Sequence, residues 1–381
     1  MTVIWVNYPV ETFTPTGSGA LATIIWECCR EAAREGATPT VITRASSAPT
    51  FPWPQTVCVD YPNVPSNRWI RKAYGLHRNL TGWSQLRHKA YAIRVAAAIR
   101  KLDRPEAPLI LLNDPAMTVY FRSVFPDRHI VHWFENQQSA PSAHVRSAYA
   151  SSANVTLGVS DFTSRWISDH YCVPVVKTLY NGVDLEQFAP GAARPEGSPV
   201  INFVGRTGME KAPDLLLKAA LALTKQTHEF RLQLIGSNHW DHFELDDYQR
   251  ELNDLVRELT DRGIEVRRPG HVGRADLPGQ FRQAHIHVVP SRWDEPFGLT
   301  TVEGMASGLA TVASNTGGTP EVVGDAGILF ERDNVEGLRH CLHLLVTSVE
   351  RREDYALRAR LRAEQFSWRR TWTEMKFHAG V

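Results

Sequence analysis

Two glutamates, two basic residues and a glycine set just ahead of a helix are the parts of this sequence best suited to chemistry. Glu295 and Glu303 lie in residues 290–316, PSRWDEPFGLTTVEGMASGLATVASNT, a stretch that joins a buried strand, an acidic loop, Gly298 and a helix starting near Leu299. Glycine at that place lets the backbone approach a ligand, and the first-turn amides with the helix dipole can receive an anion such as a diphosphate. Arg206 and Lys211 lie in FVGRTGMEKAPDLLLKA, where Gly205 ends a strand and Pro213 marks a helix start. Two cations at such a sheet edge can neutralise a departing diphosphate. A lone glutamate pair at this spacing is ordinarily a solvated helix face, and a lone cation is ordinarily surface charge. It is the coincidence of all four with Gly298 on strand-to-helix connections that points to a site.

The elements that must position these groups alternate along the chain. Short β-rich runs at 3–7, 39–43, 109–113, 130–133 and 155–159 are interleaved with helical patterns such as 20–35. A second series follows: a strand over 200–204, a helix from Pro213, a strand over 230–235, a helix from Leu245, a strand over 286–289, a helix from Leu299 and a strand over 310–313. This alternation predicts two parallel, doubly wound sheets, in which ligands sit outside the carboxyl ends of the strands. The turn-rich stretch 188–199, with Pro190, Gly191, Pro195, Gly197 and Pro199, reads as the linker between them. The expected division is 1–185 with a returning C-terminal helix over 366–381, and 186–365.

Composition narrows the function class. A chain of 381 residues exceeds one typical core, and 43% hydrophobic with 22% charged residues is ordinary globular composition. With 42 Lys and Arg against 41 Asp and Glu, net charge gives no reason to expect a nucleic-acid partner. The odd set Cys28, Cys29, Cys58, Cys172 and Cys341 has no zinc spacing and suits a reducing, cytoplasmic setting. MTVIWVNYPVETF reads as a first strand rather than a signal peptide, and no run approaches the length of a membrane span.

The spacing GR-x4-K after a strand, followed by PS-x3-E-x7-E, resembles the retaining glycosyltransferases of the GT-B fold, in the large group called family 4. LYNGVDLEQF at 179–188 is similar to that family's interdomain segment, and SNTGGTPEVVGDAGILFERDN at 314–334 to its closing stretch. PTGSGALAT, with Gly17 and Gly19, resembles its glycine-rich loop, and VSDFTSRWI its last helix before the linker. The resemblance implies two Rossmann-like domains facing a central cleft, with a final helix crossing back to the first. It further implies that Arg206 and Lys211 bind a donor pyrophosphate, that Glu303 binds ribose hydroxyls, and that Glu295 faces the transferred sugar. Backbone amides around Phe297, Gly298 and Leu299 assist, and Gly205 belongs to the donor loop. His132, in IVHWFENQ, matches in position a family histidine facing the sugar, with Glu135 and Asn136 as neighbours.

Departures from the family pattern are Ala212 and Ala310, at positions often taken by glycine and proline, Gly304 for a usual alanine, and His271 before Gly273. None removes a group that the mechanism needs. No Asp-x-Asp triplet occurs, so neither metal nor cofactor is expected. The implied donor is a UDP-sugar first and GDP-mannose second, and the acceptor a glycan, a lipid or a small molecule. Sequence does not choose between a covalent carboxylate intermediate and front-face attack.

Residues 61–102 carry Arg68, Arg71, Lys72, Arg78, Arg87, Lys89, Arg94, Arg100 and Lys101 without an acid after Asp60 and before Asp103, interleaved with Trp69, Tyr74, Trp83 and Tyr91. Two readings stand: a solvated helix face, or peripheral contact with anionic lipid or a phosphorylated acceptor through 68–101. Near the C-terminus, Trp368 and Trp372 lie four apart and read as core. The rival functions are another GT-B activity, such as a sugar-nucleotide epimerase or a phosphorylase, and a catalytically silent nucleotide-sugar-binding protein.

Overall fold

The computed structural model describes residues 2–15, 19–62, 86–138, 142–192, 195–237 and 247–381. The chain divides into two compact units, Met1–Asn181 with Trp368–Val381, and Gly182–Ser367.

Among the described residues, the first unit holds seven strands: β1 (Ile4–Val6), β2 (Thr40–Arg44), β3 (Gln55–Val59), β4 (Leu109–Leu112), β5 (Ile130–Phe134), β6 (Val155–Gly158) and β7 (Lys177–Thr178). They pair in parallel in the order β3-β2-β1-β4-β5-β6-β7, so the winding reverses between β1 and β4. β1, β4 and β5 are buried along their whole length, as a parallel strand covered on both faces must be. Helices α1 (Ala20–Arg34), α2 (Leu86–Lys101), α3 (Pro115–Val124), α4 (Ala143–Tyr149) and α5 (Asp161–Tyr171) connect them. Three of these starts are fixed by side-chain caps: Asp114 accepts from Met117 N with Pro115 following, Ser142 from Val145 N, and Ser160 from Thr163 N.

In the second unit β8 (Val200–Val204), α6 (Pro213–Leu223), β9 (Arg231–Ile235), α7 (Asp247–Asp261), β10 (Val266–Gly270), α8 (Leu277–Arg282), β11 (Ile286–Val289), α9 (Leu299–Ala306), β12 (Ala310–Ser314), α10 (Thr319–Val323), β13 (Ile328–Phe330), α11 (Val335–Thr347) and α12 (Val349–Ala363) follow in turn. The sheet is parallel, in the order β10-β9-β8-β11-β12-β13. Its core is built from Leu215, Leu216, Ala219 and Leu223 of α6 packed on Ile201, Phe203, Leu232 and Leu234 of the central strands. The last helix, α13 (Trp368–Ala379), belongs to the first unit, where it packs on α1. Trp368 and Trp372 are buried there, and Trp372 Nε1 donates to Glu35, which Lys376 also holds at 2.6 Å.

The units part at Asn181/Gly182, ahead of the 188–199 stretch expected to be a linker. That stretch is tied into the second unit. Phe188 is fully buried against Phe281, with ring centroids 5.8 Å apart, and Arg282 donates to the carbonyls of Gln187 and Ala189.

Candidate active site

The carboxyl end of β8 opens a loop that is pinned before it reaches α6. Gly205 N donates to Ile235 O and Thr207 N to Ser237 O, while Gly236 comes so close that a Cβ there would lie 1.8 Å from Gly205 O. Only glycine fits at 236. The loop ends on Ala212, whose φ of 51° and ψ of 48° lie in the left-handed region. A residue with a Cβ spends about 1–2 kcal/mol there. The conformation explains why glycine is the residue commonly associated with that position.

This loop carries Lys211 to Glu295. Lys211 Nζ lies 2.5 Å from Glu295 Oε1 and 5.2 Å from the centroid of the Trp293 ring. The Ser291 hydroxyl donates to the same carboxylate oxygen. Glu295 is 3% exposed, so its charge is held by a cation and a hydroxyl rather than by water. Its backbone is held as firmly: Gly318 N donates to Glu295 O at 2.7 Å, and Gly317, with φ of 56°, passes so close that an added Cβ would lie 2.2 Å from that oxygen. Arg206, by contrast, is half exposed and pairs with Glu210 at 3.1 Å. The structure thus joins Lys211 to Glu295 and leaves Arg206 at the loop's outer side.

A second clamp holds these two loops together. Arg292 makes a two-pronged pair with Asp214, both contacts 2.7 Å, and reaches Asp333 at 2.5 Å through Nε. The Arg292 and Trp293 amides donate to Glu210 O. Burial alone would raise the Asp214 carboxyl, but hydrogen bonds from Arg292, Tyr248 and Lys218 overcome it and bring the group down to about 2. Because the folded value lies below the ordinary 3.8, the contribution is complete above about pH 5 and is lost as pH falls from about 4 through 2. It amounts to about 2 kcal/mol. Asp214→Asn should therefore lower the urea midpoint at pH 7 and flatten its fall between pH 4.5 and 2.5. An unchanged acid limb would show that the clamp carries no such stability.

Helix α9 begins after Gly298, whose φ is 90° and which provides no side-chain cap, so its first turn presents backbone N–H groups. Phe297 is turned inward against Phe366, so what it offers a ligand is backbone. One turn into the helix, Glu303 is 1% exposed. Its Oε1 accepts from Arg274, while Oε2 is buried without a partner. Burial raises this carboxyl above its usual range, and Arg274 opposes the rise.

In the first unit the residues sort differently from expectation. His132 does not border an open site. It lies inside β5, fully buried, with Nδ1 2.6 Å from the Tyr149 hydroxyl and its ring against Phe134. Burial lowers it to about 3, so the imidazole is neutral. His132 is the middle residue of a strand buried along its whole length. Glu135, just past that end, is the group the strand delivers. Its amide donates to Asn113 Oδ1 at 2.7 Å, Oε2 accepts from Asn181 at 2.7 Å, and Oε1 is unpartnered. Burial pushes the Glu135 carboxyl up to about 8, against the Asn181 hydrogen bond, and Asp114 is raised by burial to about 6.

Gly17 lies outside the described residues. Gly19 is the N-cap of α1, but the anion place there is taken by the chain itself: Ala22 N donates to Glu11 Oε2, and a Cβ at Gly19 would lie 2.3 Å from that carboxylate. Gly19 therefore makes room for the Glu11 carboxylate.

Of the basic stretch, residues 63–85 lie outside the described ones. On α2, Arg87 lies over the Tyr61 ring, Arg94 donates to Asp60 O, Arg100 lies over Phe125, and Tyr91 is fully buried. Among the described residues, no helix is long and apolar enough to cross a membrane.

In comparison with known proteins, residues 186–362 match the family model Glycosyl transferases group 1. The chain carries a glycosyl transferases group 1 domain. It is 36% identical over 210 residues to the D-inositol 3-phosphate glycosyltransferase of Saccharomonospora viridis, covering 51% of this chain and 48% of that protein. It is 30% identical over 232 residues to spore coat protein SA of Bacillus subtilis, covering 56% of this chain and 61% of that one. The matched region thus spans about half to three-fifths of these relatives. The whole chain is similar in fold to Anabaena HepE, solved in complex with UDP-glucose, with a TM-score of 0.70 at 16% identity over 99% of this chain and 98% of that one. The fold is GT-B, two parallel α/β sheets.

Within the group 1 domain, sequence reasoning missed three residues: Arg274, Arg292 and Asp214. Arg292 stands inside the PSRWDE motif, and Asp214 follows Pro213 at the first turn of α6. Those places were the available signal for both, but an arginine's partner cannot be read from spacing.

Proposed function

We propose that the protein is a retaining glycosyltransferase that moves a sugar from a nucleotide-sugar donor, a UDP-sugar before GDP-mannose, to a glycan, lipid or small-molecule acceptor. The observation that carries the reading is the group 1 domain's own end-of-sheet arrangement. Lys211 is paired with buried Glu295, α9 presents an uncapped N-terminus beside that loop in sequence, and Glu303 keeps one buried oxygen unpartnered.

Breaking a sugar–phosphate bond builds negative charge on the leaving diphosphate, and Lys211, Arg206 and the first-turn amides of α9 supply the opposing field. Glu295, tied to Lys211, faces the transferred sugar, and Glu303 accepts from the ribose hydroxyls. The UDP-glucose bound by HepE supports a UDP-sugar as the first donor to test. No metal is required in this scheme, because the charge neutralised elsewhere by a divalent ion is met here by side chains and amides.

Titration with UDP, GDP and ADP while following thermal unfolding tests the reading. A cognate nucleotide at about 100 times its Kd stabilises by about 2.7 kcal/mol, which for units of this size is a rise of roughly 5–10 °C. EDTA should leave that rise unchanged. Product analysis with the matching nucleotide sugar then separates transfer from epimerisation. Binding without turnover of any donor would favour the silent-binder alternative, and no response to any nucleotide would remove the proposal.

A further inference from the structure

Glu303 is held by more than its own helix. Its Oε1 accepts from Arg274, whose guanidinium lies 5.4 Å from the centroid of the Phe188 ring. Phe188 meets Phe281 edge-on at 5.8 Å, and Phe281 meets His287 at 5.2 Å. His287 lies directly beneath Gly304, where an added Cβ would come within 2.4 Å of its Cδ2. The contacts therefore close into a ring, returning to the residue next to Glu303. Gly304 is one of the departures from the family pattern, and His287 fills the space that its missing methyl leaves.

Arg274 itself stands on the short loop between β10 and α8, where an arginine would ordinarily be solvated. Here it is about one-third exposed and divides its guanidinium between one buried carboxylate and one aromatic face. That pairing leaves Oε2 of Glu303 buried and bonded to nothing.

We infer that Arg274 is the positioning residue for the ribose contact: it keeps Glu303 a carboxylate with Oε2 presented as acceptor, and so makes the site prefer nucleotides that carry ribose hydroxyls. The inference rests on the reading of Glu303 given above. Without a cation, a carboxyl this buried takes up a proton and loses strength as an acceptor. The guanidinium cannot deprotonate, so Arg274 opposes uptake of that proton throughout the neutral range. The other charged groups on elements packed against α9 do not replace it. His287 of β11 is neutral, lowered by burial to about 3, and hydrogen-bonds Asn202. Arg360 and Arg362 of α12 donate to the carbonyls of Ala306 and of Glu321 and Val322, and Glu321 of α10 adds no cation.

The test compares UDP with 2′,3′-dideoxy-UDP by calorimetry between pH 6 and 9 in the full chain. Both share the diphosphate, so its own titration cancels in the ratio of affinities. The wild type should prefer UDP by at least about tenfold, the strength of a hydrogen bond to a charged group, with a flat ratio. R274Q should shrink the ratio to about threefold or less at pH 6, with recovery as pH rises, and R274K should retain most of it. F188L, which removes the aromatic face but not the charge, should give an intermediate ratio. If R274Q weakens both nucleotides equally and its ratio stays flat, Arg274 is merely structural and the inference is overturned. If the wild type binds UDP without preferring it to the dideoxy form, the Glu303 reading falls first, and this inference with it.

Discussion

Lys211→Ala is expected to lower kcat/KM for the cognate nucleotide sugar by about 10²–10³-fold, the usual cost of removing one group aimed at developing charge. Two effects combine. The diphosphate loses a cation, and Glu295, 3% exposed, is left with only the Ser291 hydroxyl against it. A buried charge deprived of its partner also costs stability, so a fall of a few degrees in the unfolding midpoint should accompany the loss. Lys211→Arg should recover part of the rate, because charge survives while the 2.5 Å contact to Glu295 must rearrange. Steady-state kinetics beside thermal unfolding make the check. A variant within threefold of wild type would exclude Lys211 from the chemistry.

Gly317→Ala should be severely damaging for a single methyl. The position has φ of 56°, and the new Cβ would lie 2.2 Å from Glu295 O and 2.7 Å from Glu295 N. The obstacle is backbone, which cannot swing aside as a side-chain end can. Left-handed strain of about 1–2 kcal/mol and overpacking of about 1–3 kcal/mol together predict a loss of about 2–5 kcal/mol in urea unfolding. The folded fraction should also lose activity, because relief of the clash requires moving the Glu295 peptide. Gly263→Ala is the matched control: φ is 84° there, but nothing lies within 4 Å of the added atom. That change should cost only about 1–2 kcal/mol with full activity. Equal losses in the two variants would mean that strain alone, and not the Glu295 contact, makes Gly317 obligatory.

The central strands were legible because a parallel strand covered on both faces is buried throughout and therefore mostly apolar, as β1, β4, β5, β11 and β12 are. The edge strands were not. β3 is exposed or half-buried except at Val59, and β10 reads VRRPG, with two arginines and a proline. Charge and proline at a sheet edge discourage pairing with another chain, which is the reason such strands do not look like strands. The loop from 290 to 303 was legible for a different reason: glycine, acid and strand coincide there within a few residues.

Position along a strand needs geometry to read. His132 drew attention by its place near a strand's carboxyl end, and β5, covered on both faces, holds its ring in the core against Phe134. Glu135 lies one step past the strand, where the chain leaves the sheet, and place rather than chemistry was the available signal. Arg274 could not be singled out among many arginines, since what distinguishes it is a carboxylate 29 residues away in the chain.

The return of α13 to the first unit sets an order of assembly during synthesis. Residues 182–367 form a unit of their own and have all been translated before Trp368 is added. At about 5–20 residues per second the wait is roughly 10–40 s. Throughout it, the surface of α1 that Trp372 will cover, and the Glu35 carboxylate that Trp372 and Lys376 will hold, remain open to water or to a chaperone. The half of the protein that leaves the ribosome first is therefore the half that finishes last, and a nascent chain stalled anywhere before residue 368 exposes an unsealed first unit beside a growing second one.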